Sequence, residues 1–221
     1  MNNLLKKIIV LIPVCVLTVF FLQWHYNQEY RHTSDKRLLA LFITITILYI
    51  WIITGVIRRK HENLFQVLVQ SSFYVYIFMV LTLTGYFILF REVSAHNWWH
   101  NMTERFERRE GVNLIPFHSI KLYKYMGYQV YGNLVMLLPL GIYLPLLYKR
   151  LYYFFAVAFT CLLFSVSIEL MQLATHYRVA DVDDVILNTT GACIGYLLLW
   201  LVLKMAGTGI QSFRGKGLSL N

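Results

Sequence analysis

The stretch Ser165-Val-Ser-Ile-Glu169-Leu-Met-Gln172 sets a carboxylate and an amide inside an otherwise apolar run, and the fold has to accommodate both. Arg178-Val-Ala-Asp181-Val-Asp183-Asp184 follows before the next apolar run begins. The 221 residues hold 11 Asp and Glu in all, and four of them fall between positions 169 and 184. Because a charged side chain is costly at membrane depth, residues of this kind usually mark a functional site.

The composition is that of an integral membrane protein. Apolar residues make up 58% and charged residues 14%, whereas about a quarter of the residues in a soluble domain are charged. The net charge of +9 does not indicate nucleic acid here, because the Lys and Arg flank apolar runs, as membrane topology and anionic headgroups require. We therefore expect membrane lipids as partners, and no nucleic acid.

Six apolar segments are long enough to cross a bilayer, because a helix rises about 1.5 Å per residue and the hydrocarbon core is about 30 Å thick. They predict an all-α polytopic transmembrane bundle, with segments at 6–24, 38–57, 64–90, 131–148, 151–172 and 185–203. The first segment lacks a small-residue cleavage site after it, so it is interpreted as a retained span. The predicted organisation is two N-terminal transmembrane helices in 1–60, a membrane domain in 64–203 and a basic cytoplasmic tail in 204–221.

The basic residues predict that both chain ends lie in the cytoplasm. With the N-terminus inside, each side of the membrane carries ten Lys and Arg, but those on the inner side sit in shorter segments. The positive-inside rule counts such short flanking segments, so it favours an inner N-terminus and an inner C-terminus. In this orientation the carboxylate cluster around Glu169 lies at the outer face.

The long connection at 91–130 predicts an interfacial or re-entrant segment before span four. Its first part mixes charged residues with aromatic ones such as Trp98 and Trp99, a mixture typical of headgroup level. Residues 112–120 are apolar but too short to span, and Pro116 disfavours helix at the residue before it. Such a segment is tolerated at membrane depth only where it is buried in protein or lines a wet cavity.

Polar residues recur at helical spacing in the fifth span. Ser165, Glu169 and Gln172 stand at i, i+4 and i+7, and His176 continues the stripe if the helix extends by another turn. Lipid offers no hydrogen bonds, so this stripe must face protein.

The sixth span carries a second stripe of polar and small residues at the same intervals, formed by Asp184, Asn188, Gly191 and Gly195. Asp181 or Asp183 is placed to cap this helix, where a carboxylate accepts backbone N–H bonds. The glycines would let another helix approach closely. We expect the two stripes to face each other near the outer end of the membrane.

The fourth span adds Asn133, which precedes Pro139. Pro139 removes a backbone hydrogen bond and predicts a kink. Counted from the outer boundary, Asn133 lies level with Glu169 and Gln172, so three helices would bring amide and carboxylate groups to one depth. An alternative role for Asn133 is hydrogen bonding between helices.

At these residues the chain resembles the VanZ-like family of bacterial membrane proteins. The resemblance covers roughly residues 85–203 and is carried by Asn113-Leu-Ile-Pro116-Phe117, Asn133-Leu-Val-Met-Leu-Leu-Pro139-Leu-Gly141, Ser165-x-x-Ile-Glu169-Leu-x-Gln172 and Arg178-x-x-Asp181-x-Asp183-Asp184-Val-Ile-Leu-Asn188-Thr-x-Gly191. It implies a VanZ-like membrane domain in the bacterial cell membrane, with the first two helices outside the shared core. The family takes its name from resistance to teicoplanin, a glycopeptide that acts outside the cell on lipid-linked cell-wall precursors.

The convergence of polar groups predicts a site at the outer interface. Glu169 is the candidate general acid or base, and His176 and Asp184 are the other predicted catalytic residues. Arg178 is placed to hold a phosphate through its guanidinium fork, or it merely pairs with a nearby aspartate. With Asn113 from the resemblance, the predicted substrate-binding residues are Asn113, Asn133, Gln172, Arg178 and Asn188.

Asp181 and Asp183, together with Asp184, are candidate ligands of a divalent cation, because Mg²⁺ and Ca²⁺ prefer oxygen ligands. Helix capping is the alternative role for the first two.

Three functions fit these residues. The first is an intramembrane enzyme that modifies lipid headgroups or lipid-linked cell-wall intermediates at the outer leaflet and so contributes to glycopeptide resistance. The second is a non-catalytic protein that binds lipid or glycopeptide in the same pocket. The third is a small lipid transporter. Two observations argue against it: the polar residues cluster near one face of the membrane, and the sequence has no visible inverted repeat.

Overall fold

The computed structural model describes residues 3–28, 35–58, 64–86, 95–108, 110–122, 127–174 and 178–212. Its elements are, in chain order, α1 Asn3–Gln28, α2 Asp35–Arg58, α3 Leu64–Leu83, α4 Ala95–Arg108, β1 Val112–Asn113, α5 His118–Leu122, α6 Gly127–Met136, α7 Leu138–Leu147, a 3₁₀ turn Lys149–Leu151, α8 Phe154–Leu173, β2 Ala180–Asp181 and α9 Val182–Met205. The predicted all-α fold is confirmed, and the described strands are two residues long each.

Four stretches of the described chain are long and apolar enough to cross a membrane. They are Phe65–Leu83, Gly127–Leu147, Phe154–Leu173 and Val182–Met205, and α1 and α2 contribute the shorter apolar stretches Lys7–Phe20 and Ile45–Ile57. The six predicted segments therefore all overlap helices, while four of the described stretches meet the length and hydropathy of a span.

The third predicted segment is shorter than 64–90, because α3 ends at Leu83. The hydroxyl of Thr84 donates to the Val80 carbonyl at 2.8 Å. Gly85 then adopts a φ of 77°, and its N–H donates to the Thr82 carbonyl at 3.2 Å. A glycine in the left-handed region stops a helix in this way. Residues 87–90 lie outside the described residues.

The fourth span is interrupted at Leu137, between α6 and α7. Pro139 stands in the first turn of α7, where its missing N–H costs little, but it cannot donate back into α6. The Met136 carbonyl at the break accepts a bond from the Tyr76 hydroxyl of α3, at 2.8 Å. The interruption lies two residues before Pro139, where the kink was predicted, and Tyr76 of α3 contacts it from the side.

The last helix, α9, packs backbone to backbone against α6 and α7. A Cβ on Gly191 would lie 1.7 Å from the Leu134 carbonyl oxygen, and one on Gly195 would lie 2.1 Å from the Leu138 carbonyl oxygen. Any side chain at these positions would therefore push the helices apart. The predicted close approach occurs, and it brings Asn133 of α6 beside Asp184 at the start of α9.

The first helix packs against α2 and α3. Val10 and Val14 of α1 are fully buried, and Ile52 of α2 belongs to the same apolar core. The Tyr49 hydroxyl donates to Thr18 Oγ1 at 2.8 Å, which links α2 to α1 inside the bundle. The division of the chain into an N-terminal helix pair, a second membrane domain and a basic tail stays a prediction.

Candidate functional site

A cavity of about 570 Å³ opens where α8 ends and α9 begins. Eight of the ten predicted site residues line it, and they are Asn113, Asn133, Glu169, Gln172, Arg178, Asp181, Asp184 and Asn188. Leu83 and Thr84 at the end of α3 complete one wall. The cavity thus lies at one end of the apolar helices, and the chemical roles predicted for its residues stay predictions.

The stripes of α8 and α9 face each other across this cavity. The Asn188 amide donates through Nδ2 to Ser165 Oγ at 3.0 Å, and both side chains are buried. One turn nearer the helix ends, Glu169 Oε2 accepts the backbone N–H of Asp181 at 2.9 Å. The glutamate therefore fixes the point at which the chain re-enters the bundle, and its other carboxylate oxygen is not committed to that bond.

Asp181 caps α9, as predicted. Its Oδ1 accepts the Asp183 N–H at 2.9 Å and the Asn113 side-chain amide at 3.0 Å. Its Oδ2 accepts the Ser119 hydroxyl. Side-chain acceptors at this position satisfy helix N–H groups that have no partner within the helix. The same carboxylate thereby ties the 112–122 segment to the last span.

Asp183 is buried and supports the backbone of that segment. Its Oδ1 accepts the Phe117 N–H, and Phe117 has a φ of 63°. A bulky residue seldom adopts this left-handed conformation unless its surroundings hold it there. Asp183 is not one of the residues that line the cavity.

These bonds bear on the predicted cation site at Asp181 and Asp183. Both oxygens of Asp181 and one of Asp183 already accept hydrogen bonds, and a cation would have to displace the donors. In the described ranges, no group of three or more His, Cys, Asp and Glu is arranged to hold a metal ion. The geometry gives these two carboxylates a structural role, and the cation site stays a prediction.

The segment before span four does not cross the bundle. Its strand β1 pairs in parallel with β2, Val112 opposite Ala180 and Asn113 opposite Asp181. The Ala180 N–H also donates to the Gly111 carbonyl at 2.9 Å. This pairing carries Asn113 and Ser119 to the cavity wall, in accord with the expectation that a non-spanning segment is held against protein.

Arg105 of α4 anchors the connection that carries Arg178. Its Nη1 donates to the Leu173 carbonyl at 2.8 Å, at the end of α8, and its Nη2 donates to the Arg178 carbonyl at 2.7 Å. Burial lowers the pKa of the Arg105 guanidinium from its ordinary value, while the nearby Glu110 carboxylate acts in the opposite direction. Sequence reasoning missed this residue because it was one arginine among several on an interfacial segment.

Two carboxyl groups face the cavity from neighbouring helices. Glu169 is 7% exposed, and Asp184 is partly exposed with the Asn133 side chain close enough to donate to it. Arg178 lies on the same cavity, and its side chain is exposed. The arrangement places hydrogen-bond acceptors inside and a guanidinium on the more accessible side.

Further residues line the cavity that the motifs did not single out, namely Thr84, His118, Ser119 and Gln129. They come from helix ends and the 112–122 segment, where the sequence has no periodic pattern from which a cavity-facing side could be predicted. Their position depends on the β1–β2 pairing, which two residues of sequence do not reveal. His176, the third predicted catalytic residue, lies outside the described residues.

Comparison with known proteins identifies the family. A sequence profile of the VanZ/LLP1 family matches residues 72–203, more than half of the chain. Searches of curated proteins and of solved structures found no matching protein. The matched region begins within α3, extends to the end of α9 and includes every cavity residue named above. The chain belongs to the VanZ/LLP1 family, and its apolar helices make it a membrane protein.

Proposed function

We propose that this protein acts on the headgroup of a lipid or of a lipid-linked cell-wall intermediate at the outer leaflet of a bacterial cell membrane. Through that activity it contributes to resistance against glycopeptides of the teicoplanin type. The observation that supports this proposal best is the presence of Glu169 and Asp184 in one polar cavity at the end of apolar helices.

The two carboxyl groups suit acid–base chemistry. A general acid or base needs a carboxyl that is held in place within hydrogen-bonding reach of the reacting group. The Asp181 N–H orients Glu169, and Asn133 lies beside Asp184. In this proposal one carboxyl group accepts a proton from an attacking hydroxyl or water, and the other returns a proton to the leaving group.

Arg178 is the proposed phosphate ligand. A guanidinium binds phosphate through two parallel hydrogen bonds, and Arg105 holds the backbone at Arg178 through its carbonyl. The side chain of Arg178 is exposed while it still lines the cavity. A headgroup phosphate bound by Arg178 would leave the remainder of the headgroup in the cavity that Glu169 lines.

The position of the cavity supports an action at the membrane surface. Helix α4 has apolar residues on its exposed side, among them Trp99 and Phe106, together with the pair Arg108 and Glu104 at 2.7 Å. An amphipathic helix of this kind lies in the interface with its aromatic rings at headgroup level. Because the N-terminus is predicted to lie inside, this end of the bundle would face the outer leaflet.

The experiment compares Glu169→Gln with Glu107→Gln in a strain that depends on this protein. In the first variant the new amide oxygen can still accept the Asp181 N–H, but the side chain cannot transfer a proton. Glu107 is an exposed glutamate of α4 outside the cavity. We expect Glu169→Gln to abolish teicoplanin resistance and to change the lipid or precursor profile measured by mass spectrometry. Glu107→Gln should behave like the wild type at equal protein abundance.

A lost phenotype without any change in lipids or precursors would contradict the enzymatic proposal. That outcome would favour the non-catalytic binding protein, which saturable binding without turnover in nanodiscs would then establish.

A further inference from the structure

The cavity differs in polarity between its two ends. Asn188 lies one turn further along α9 than Asp184, about 6 Å deeper along the helix axis. On α8, Glu169 lies one turn nearer the opening than the Ser165 that bonds Asn188. Arg178 lies in the connection between the helices, where its side chain is exposed. Acceptor oxygens of Asn188 and Glu169 therefore line the inner part of the cavity, and the guanidinium lies at the outer end.

One acceptor at the inner end has no donor. Asn188 is 1% exposed, and its Oδ1 is buried without a hydrogen-bond partner anywhere in the described chain. The Nδ2 of the same amide is already bonded to Ser165 Oγ, and the oxygen is the end of the amide that lacks a partner. A buried acceptor without a donor destabilises a fold, so its presence in a cavity calls for an explanation. A ligand that brings a donor would supply the missing bond.

We infer that the inner end of the cavity binds the donor-bearing terminus of a headgroup, an N–H of a primary ammonium or an O–H of a polyol, while Arg178 binds the phosphate that precedes it. This inference rests on the proposed function, because it assumes that a headgroup enters this cavity. The ligand class is an aminoalkyl or hydroxyalkyl phosphate. Aminoethyl and glyceryl phosphate lipids belong to it.

Phosphocholine provides the matched comparison. Its quaternary ammonium carries the same charge as a primary ammonium, so Glu169 and Asp184 attract both. It has no N–H to donate, so Asn188 Oδ1 would stay unpaired. A site that is built to bond a donor rejects an analogue without one, because its own buried polar groups are then left unsatisfied. Comparing the two headgroups separates hydrogen bonding from charge.

The test measures lipid affinity by calorimetry. The purified full-length protein in detergent is titrated with short-chain phosphatidylethanolamine, phosphatidylglycerol and phosphatidylcholine. We expect at least one of the two donor-bearing lipids to bind about tenfold or more tightly than the choline lipid, the factor that one hydrogen bond supplies. Whichever binds identifies the source of the donor. Equal binding of all three would overturn the inference and leave the proposed function standing. Binding of none would also overturn the inference, and it would leave lipid-linked cell-wall intermediates as the substrates of the proposed function.

Variants of α9 test the residue assignment. Asn188→Leu should remove the preference for the donor-bearing lipids over the choline lipid. The double variant Ser165→Ala with Asn188→Leu should do the same, and it avoids misfolding because neither polar partner is left buried alone. Thr189→Val is the control, because Thr189 Oγ1 is also buried without a partner in the described chain but does not line the cavity. The control should keep the preference. A preference that survives in both Asn188 variants would overturn the inference.

Discussion

The carboxylate of Asp181 makes more contacts than its place in the sequence suggests. It accepts bonds from Asp183, Asn113 and Ser119, while its own N–H is bound by Glu169. The cap of the last helix, the attachment of the 112–122 segment and the orientation of a candidate catalytic group therefore meet at one residue. Glu169 and Asp181 are coupled, so substitutions at the two positions should not have additive effects.

Asp181→Ala should destabilise the protein by about 2–4 kcal/mol, because loss of an N-cap costs about 1 kcal/mol and buried donors left without acceptors cost about 1–3 kcal/mol. Asp181→Asn should lose much less, since an asparagine still accepts the Asp183 N–H. Equilibrium unfolding in mixed detergent micelles measures both. Equal stability of the two variants would contradict this assignment of the cap.

At the scale of elements, the bundle depends on direct backbone contact between α9 and the broken fourth span. Glycine at 191 and 195 permits this contact, and Pro139 sets the break that places Leu138 opposite Gly195. The polar stripe of α9 and Asn133 of α6 reach the same cavity because no side chain separates the two backbones. Helix packing therefore determines the geometry of the site.

Gly191→Ala should lower the melting temperature and weaken function, because the new methyl group would overlap the Leu134 carbonyl and overpacking costs about 1–3 kcal/mol. Gly132→Ala is the matched control on the facing helix, where a Cβ meets nothing within 4 Å. It should be neutral or stabilising, since alanine favours helix over glycine. Thermal unfolding in detergent compares the two variants, and a more stable Gly191→Ala protein would refute the backbone contact.

Helix α4 is linked to the site through Arg105. Arg105→Ala should release the connection that carries Arg178, at a cost of about 1.5–3 kcal/mol for a hydrogen bond from a charged group. Arg108→Ala removes only an exposed pair with Glu104, worth about 0–1 kcal/mol. Hydrogen exchange should accelerate at the Ala180 and Asp181 amides in the first variant alone. Unchanged exchange there would show that α4 does not hold the connection.

At the scale of the whole molecule, the described spans alternate in direction, so the residues that line the cavity lie at one end of the bundle. Lining residues come from the end of α3, the start of α6, the end of α8 and the start of α9. An antiparallel bundle puts these four ends on the same side, which agrees with the depths predicted for Asn133 and Glu169. The basic residues predict that this side is the outer one.

Cysteine labelling in intact cells tests the predicted topology. In a background without Cys15, Cys161 and Cys193, the Glu107→Cys protein should react with a membrane-impermeant maleimide from outside. The Lys204→Cys protein should react only after the membrane is permeabilised. The reverse pattern would place the cavity at the inner leaflet and rule out direct action on precursors outside the cell.

Periodicity accounts for what was predictable from the sequence. The α8 and α9 stripes, the cap at Asp181 and an interruption of the helix next to Pro139 follow from helical spacing and from local backbone chemistry, and the structure has all three. The end of α3 was placed too late, because Gly85 stops a helix through its φ angle and not through loss of hydrophobicity. Arg105 and Ser119 were missed because distant pairing brings them to the site.

The parallel pairing of β1 with β2, Val112 opposite Ala180, has a consequence for how the protein folds during synthesis. The two strands lie far apart in sequence, so bringing them together costs chain entropy and is slow. The pairing also requires that both strands have been synthesised. Synthesis delivers the N-terminal spans first. The strand pairing can therefore form only after β2 has been made, and the cavity wall supplied by Asp184 and Asn188 only when α9 has entered the membrane. A chain that stops before α9 would hold the carboxylate of Glu169 without an enclosed cavity around it.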